Sequence, residues 1–80
     1  MKELTISKEY ERAATRVMKV TGFTERELSE LNSMDYREMM ETVIAAIEIR
    51  NGDGAIGLYE GAYILTAWIN DGAVFLEIGR

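Results

Sequence analysis

The apolar residues change their spacing near Gly54, and this change limits what the chain can fold into. Before Gly54 they recur at helical intervals, whereas after it they alternate as they do in β-strands. Turn-forming pairs at Glu60-Gly61 and Asp71-Gly72 divide the later part. We therefore predict strands at about 55–59, 62–69 and 73–78, joined as a three-stranded antiparallel meander.

Two-residue turns at both sites set one register for this meander. The predicted pairs are Ile56 with Leu65, Leu58 with Tyr63, Ala67 with Leu76 and Ile69 with Val74. The resulting face is apolar and consists of Ile56, Leu58, Tyr63, Leu65, Ala67, Ile69, Val74, Leu76 and Ile78. A slip of one residue at either turn would break this face, because side chains alternate between the two sides of a strand.

The opposite face of the predicted sheet is the principal candidate for a binding site. It carries Tyr59, Ile64, Thr66, Trp68, Phe75 and Glu77, with Trp68 directly opposite Phe75. Exposed aromatic patches mark interfaces, and Trp and Tyr often anchor binding. We expect Tyr59, Ile64, Trp68 and Phe75 to contact a protein partner or a second copy of the chain. The alternative is that the first helix covers this face.

That first helix is predicted over residues 7–21, from an N-cap at Ser7 to a left-handed Gly22. Its apolar positions follow helical spacing and are Tyr10, Ala13, Ala14, Val17 and Val20. A basic stripe lies on nearly the opposite side and consists of Lys8, Arg12, Arg16 and Lys19. The stripe is interpreted as a solvated helix face, or alternatively as a binding surface for an acidic partner or a nucleic-acid backbone.

The second and third helices are predicted over residues 25–32 and 34–50. The third is expected to start at Ser33 or Asp35, and Asp35 with Glu38 has the spacing of a capping box. Thr24 and Glu27 have the spacing of a capping box, and Phe23 with Leu28 forms a hydrophobic staple across it. The third helix has a broad apolar face of Tyr36, Met39, Met40, Val43, Ile44 and Ile47. The predicted fold is a single α+β domain, with three N-terminal helices packed on the C-terminal meander.

The stretch from Asn51 to Glu60 resembles an EF-hand loop in part, with Asn51, Asp53, Gly54, Ile56 and Glu60 at its third, fifth, sixth, eighth and twelfth positions. Its first position, however, is Ile49, where calcium requires an oxygen ligand, and the residues after it favour a strand rather than a helix. The stretch is therefore interpreted as a turn, with a degenerate calcium site as the alternative.

Composition restricts the possible activities. The chain contains no cysteine and no histidine, which removes thiol chemistry and the commonest general base and metal ligand. No apolar run suits a signal peptide or a bilayer span. We expect a cytoplasmic protein that is not an enzyme and binds no cofactor or metal.

Charge bears on the class of partner. The net charge of −5 disfavours nucleic acid and anionic membranes as ligands. Residues 20–40 have helix-turn-helix spacing, but their acidic character favours two packed helices. One alternative is an acidic nucleic-acid mimic that presents Glu25, Glu27, Glu30, Asp35, Glu38 and Glu41 on one surface.

A family resemblance involves Thr21-Gly22-Phe23, then Leu28 and Leu31, then Asp35-Tyr36 entering an apolar helix. Through these positions residues 14–48 resemble the helical part of phage tail assembly chaperones. Those small non-catalytic proteins bind the tape-measure protein and keep it soluble. The resemblance implies that the apolar face of the third helix would contact the partner.

The function expected from the sequence is stoichiometric binding of a protein partner without catalysis. Small size, acidity and the missing catalytic residue types suit a viral or mobile-element accessory protein, such as an anti-CRISPR-like inhibitor of a host defence complex. A tail-assembly chaperone and an acidic mimic are the main alternatives.

Overall fold

The fold is a four-stranded antiparallel sheet with two helices on one face, in a computed structural model that describes residues 2–11, 14–57 and 63–79. The elements in chain order are β1 Thr5–Glu11, β2 Thr15–Thr21, α1 Glu25–Asn32, α2 Tyr36–Asn51, β3 Tyr63–Asn70 and β4 Ala73–Gly79. The strand order across the sheet is β1-β2-β4-β3. The last strand in the chain therefore lies in the interior of the sheet.

This architecture corrects the predicted one of three helices on a three-stranded meander. Of residues 7–21, predicted as the first helix, residues 7–11 belong to β1 and residues 15–21 to β2, whereas Arg12 and Ala13 lie outside the described residues. The predicted strand at 55–59 is also wrong where it can be examined, since Ala55 and Gly57 close turns with Gly52 and Gly54. The rest of that strand lies outside the described residues.

Val17 and Val20 account for the mistaken helix. Their spacing of three suggests one helical face, and both are fully buried. In β2, however, Val17 pairs with Glu77 and Val20 pairs with Val74, so the two valines point to opposite faces of the sheet. A strand that buries both faces can therefore imitate helical spacing. β2 also pairs with a strand on each side, and these contacts override local helix propensity.

The two observed helices begin at their predicted caps. The hydroxyl of Thr24 accepts a hydrogen bond from the backbone N–H of Glu27 at 3.1 Å, and the Glu27 carboxylate accepts one from the N–H of Thr24 at 2.9 Å. This confirms the predicted capping box. The carboxylate of Asp35 caps α2 by accepting a bond from the N–H of Glu38 at 2.8 Å. α2 runs to Asn51, where Gly52 with φ 103° ends it.

The main core lies between the helices and one face of the sheet. Buried residues of both layers form a single cluster, consisting of Leu4, Val20, Leu31, Met39, Val43, Ile47, Ile56, Ala67, Val74, Leu76 and Ile78. At about 25 cal/mol per Å² of buried apolar area, such a cluster is the main stabilising contribution in a domain of this size.

The C-terminal hairpin has the predicted turn and most of the predicted register. Asp71 and Gly72 both have positive φ, as a tight two-residue hairpin turn requires. Ala67 pairs with Leu76 and Ile69 with Val74, as predicted. The register shifts between Ile64 and Thr66, however. This β-bulge puts Ile64 against the core and leaves Tyr63 and Leu65 exposed, reversing their predicted sides.

Candidate functional site

The sheet face turned away from the helices, called the distal face below, carries a stacked aromatic pair. Trp68 on β3 lies directly across from Phe75 on β4, with ring centroids 5.4 Å apart and ring planes inclined by 5°. Both rings are half-buried. No helix in the described part of the chain covers this face, because α1 and α2 pack on its opposite side.

The register places two rows of side chains across the distal face. One row runs from Ser7 through Lys19 and Phe75 to Trp68, and a second consists of Tyr10, Val17, Glu77 and Thr66. Residues directly opposite in an antiparallel sheet project to the same side and contact one another. The rings therefore lie beside a cation and an anion on a rigid four-stranded support.

Tyr63 extends the aromatic surface along β3. It pairs with Gly79, and a β-carbon at Gly79 would lie only 2.3 Å from the tyrosine ring. The ring therefore lies directly over the glycine backbone, a contact that any larger residue would prevent. Tyr63 is 54% exposed and Tyr10, across the sheet, is 46% exposed. Both side chains therefore expose about half of their surface to solvent.

The structure brings together only part of the predicted binding set. Trp68 and Phe75 stack on the distal face as expected. Ile64 lies instead on the core side, because of the bulge at Leu65, and Tyr59 lies outside the described residues. Sequence reasoning missed Tyr10 and Tyr63 as members of the face. Simple alternation along β1 would have put Tyr10 on the helix side with Lys8, and the register shift between these two residues brings it to the distal face.

The predicted basic stripe does not form. Lys19 is on the distal face, whereas Lys8 pairs with Met18 on the helix side of the sheet. Lys19 lies 3.8 Å from the carboxylate of Glu9, and Lys8 lies 3.5 Å from that of Glu11. Arg16 donates a hydrogen bond of 2.8 Å to the carbonyl of Gly57, and Arg12 is outside the described residues. These cations are divided between the two sides of a hairpin.

Half of the predicted acidic surface has local structural roles. Glu27 and Asp35 cap the two helices, and Glu30 lies 3.6 Å from Arg26 one turn earlier. The other members, Glu25, Glu38 and Glu41, are exposed. The hydrogen bond from the Thr24 backbone lowers the pKa of Glu27, and Arg50 lowers it further. These carboxylates are accounted for by helix capping and surface solvation.

A small cleft of about 170 Å³ opens between the helices. Its lining combines apolar side chains with a charged pair and consists of Phe23, Glu27, Glu30, Leu31, Met34, Thr42, Ala46 and Arg50. Arg50 bonds Glu27 and lies over the ring of Phe23, 5.5 Å from its centroid. Ligand pockets usually exceed about 300 Å³, so this cleft is small for a bound metabolite.

The suspected calcium loop has another structure. Ile49 and Asn51, its first and third positions, lie within α2. The side-chain oxygen of Asn51 accepts a hydrogen bond from the N–H of Leu4 at 2.9 Å, so it is already occupied. Across the described residues, no three acidic side chains gather closely enough to hold a metal ion. Glu60, the predicted twelfth position, is outside the described ranges.

Comparisons with known proteins were made for the whole chain. No family model, curated protein or solved structure matches it. Neither helix in the described ranges has the length and apolar character needed to span a bilayer. The proposed function therefore depends on the chemistry of the residues on the distal face.

Proposed function

We propose that this protein acts by stoichiometric, non-catalytic binding of a protein partner through the distal face. The observation that carries the proposal is the Trp68–Phe75 stack, placed on a sheet face that neither described helix covers. Tryptophan is the residue type most enriched among those that dominate binding energy at protein interfaces.

The preorganisation of the face supports this function. The rings lie on paired strands rather than on loops, so little side-chain freedom remains to be lost on binding. Tyr10 and Tyr63 lie on the two opposite edge strands, and Tyr63 shares β3 with Trp68. Aromatic residues with an apolar ring and a polar tip suit an interface that is dry in the middle and wet at the rim.

Charged residues lie near the rings on the two inner strands of the sheet. Lys19 lies beside Phe75 in one row, and Glu77 lies beside Val17 in the next. A partner with complementary charges would be oriented by these residues, whereas most of the affinity would come from the rings. Added salt should therefore slow association more than it speeds dissociation.

A matched set of variants tests the proposal. Wild type and three variants are used in pull-downs from a lysate of the source cells. The variants are Trp68→Ala, Phe75→Ala and Tyr36→Ala. Tyr36 is a suitable control because it is also a ring, 47% exposed, but lies on α2. We expect the partner to be lost with Trp68→Ala and Phe75→Ala and kept with Tyr36→Ala, with circular dichroism unchanged.

Two results would reject the distal face as the binding surface. One is retention of the same partner by both sheet variants. The other is its loss only with Tyr36→Ala, which would favour the helix surface implied by the chaperone resemblance.

A further inference from the structure

Two hydrogen bonds of the Asn51 side chain connect the segment before β1 to the end of α2. Its side-chain oxygen accepts a hydrogen bond from the N–H of Leu4 at 2.9 Å, and its side-chain nitrogen donates one to the carbonyl of Leu4 at 2.8 Å. The Leu4 side chain is buried in the main core. One amide therefore satisfies both backbone groups of a residue far away in the chain, as a neighbouring strand would. We call this pair of bonds the Leu4 clamp.

The residue after Asn51 is glycine, which makes the pair chemically labile. The backbone nitrogen of Gly52 can attack Cγ of Asn51, and the Cγ–Nδ2 bond breaks. Ammonia leaves carrying the Gly52 amide proton, and a cyclic succinimide remains. Water then opens the ring at either carbonyl, giving aspartate or isoaspartate. The reaction needs no oxidant, reductant or cofactor.

The folded structure opposes this attack at both reacting groups. The two bonds of the Leu4 clamp hold the side-chain amide of Asn51, so rotation of Cγ toward the Gly52 nitrogen requires them to break. The N–H of Gly52 donates to the carbonyl of Glu48 at 3.0 Å, as the last bond of α2. Succinimide formation therefore requires the clamp to open and the helix end to fray. Such local openings occur in folded proteins without global unfolding.

We propose that Asn51 is a deamidation site gated by the Leu4 clamp, and that its conversion disables the clamp permanently. The product carboxylate has no N–H to donate to the carbonyl of Leu4, and instead places a negative charge beside that oxygen. Isoaspartate also lengthens the backbone between α2 and Gly52. Each time the N-terminal segment opens, Asn51 can deamidate, and the Leu4 clamp then cannot form again.

The gating is tested by following deamidation of the folded protein at mildly alkaline pH, using peptide mapping by mass spectrometry. Leu4→Ala keeps both backbone groups but loosens the segment. Met39→Ala removes a similarly buried side chain of α2, about three helical turns before Asn51. Folded wild type should deamidate at Asn51 at least about tenfold more slowly than wild type in denaturant. Leu4→Ala should remove most of this protection. Met39→Ala should raise the deamidation rate only by the amount that its loss of global stability accounts for.

Equal rates in the folded and denatured wild type would overturn the proposal. Equal acceleration by Leu4→Ala and Met39→Ala at matched global stability would also overturn it. Hydrogen exchange of the Leu4 amide in wild type gives a test that needs no variant. Its denaturant dependence should match that of the deamidation rate, and a clear mismatch would refute gating by the clamp.

The consequence of conversion is tested with Asn51→Asp, which reproduces one product. Asn70→Asp adds the same charge at an exposed site in the β3–β4 hairpin. The Leu4 amide should exchange about tenfold faster in Asn51→Asp and at the wild-type rate in Asn70→Asp. Unchanged exchange in Asn51→Asp would show that conversion leaves the clamp working.

Discussion

Arg50, in the last turn of α2, forms an ion pair with Glu27, whose carboxylate also caps α1. One carboxylate oxygen accepts from the Thr24 backbone and the other contacts the guanidinium group. The same guanidinium lies over the ring of Phe23. Three residues from the start of α1 and one from the end of α2 thus form a single polar cluster, which joins the helices at one edge of the core.

The cluster predicts a pH dependence of stability. The pKa of Glu27 is lowered below its ordinary value of 4.5, first by the Thr24 backbone bond and then by Arg50. Because the folded-state pKa is below the unfolded one, the stabilisation is present above pH 4.5 and is lost as the pH falls through the folded value. Urea unfolding at a series of pH values should show this loss in wild type and a weaker loss in Glu27→Gln. Glu25→Gln, at an exposed site of the same turn, should follow wild type, and identical curves for all three would contradict the assignment.

The stacked pair on the distal face predicts a measurable coupling. A double-mutant cycle of Trp68→Ala and Phe75→Ala, read by denaturant unfolding, should give an interaction free energy of about 0.5–1.5 kcal/mol. The reason is that each ring loses its stacking partner when the other is truncated. Additive effects of the two substitutions would mean that the rings do not stabilise each other in solution.

Two isoleucines of α2 should differ strongly in their contribution to stability. Ile47 is fully buried in the main core, whereas Ile49 is 68% exposed. Ile47→Ala should lower the free energy of unfolding by about 2–5 kcal/mol, because it removes buried apolar area and leaves a cavity. Ile49→Ala should change it by about 0.5 kcal/mol or less. Similar losses in the two variants would mean that α2 is rotated relative to the sheet.

Calcium should leave the melting temperature unchanged. Asn51 is engaged by Leu4, and Ile49 lies in a helix where the metal would need an oxygen ligand. Thermal melts with calcium, with magnesium and with a chelator should therefore superimpose. A rise in melting temperature with calcium alone, abolished by Asp53→Ala, would revive the metal-loop interpretation.

The parts of the fold that were predictable depend on local chemistry. The capping box of Thr24 and Glu27, the cap at Asp35 and the turn at Asp71-Gly72 each involve residues only a few positions apart. Such signals act over one turn of chain and do not depend on what packs around them. For this reason α1, α2 and the β3–β4 turn lie close to their predicted positions.

The errors arose where distant contacts decide the structure. Residues 15–21 form a strand because they pair with β1 on one side and with β4, far away in the sequence, on the other. Ile64 moved to the core because the bulge at Leu65 reverses the side-chain alternation. The residues next to Val17 and Leu65 in the sequence give no signal of the strand or of the bulge. The stacked pair was predictable because Trp68 and Phe75 pair on the turn side of the bulge, where the register set by Asp71-Gly72 is unbroken.

The interior position of β4 sets a condition on folding. Backbone hydrogen bonds join β4 to β2 on one side and to β3 on the other. The β1–β2 hairpin and β3 therefore remain separate until residues 73–79 are in place. During synthesis, β2 and the apolar sides of both helices are made well before this central strand leaves the ribosome. Until then, the strand edges that pair with β4 have unpaired backbone groups. In this state, association with other chains competes with completion of the fold.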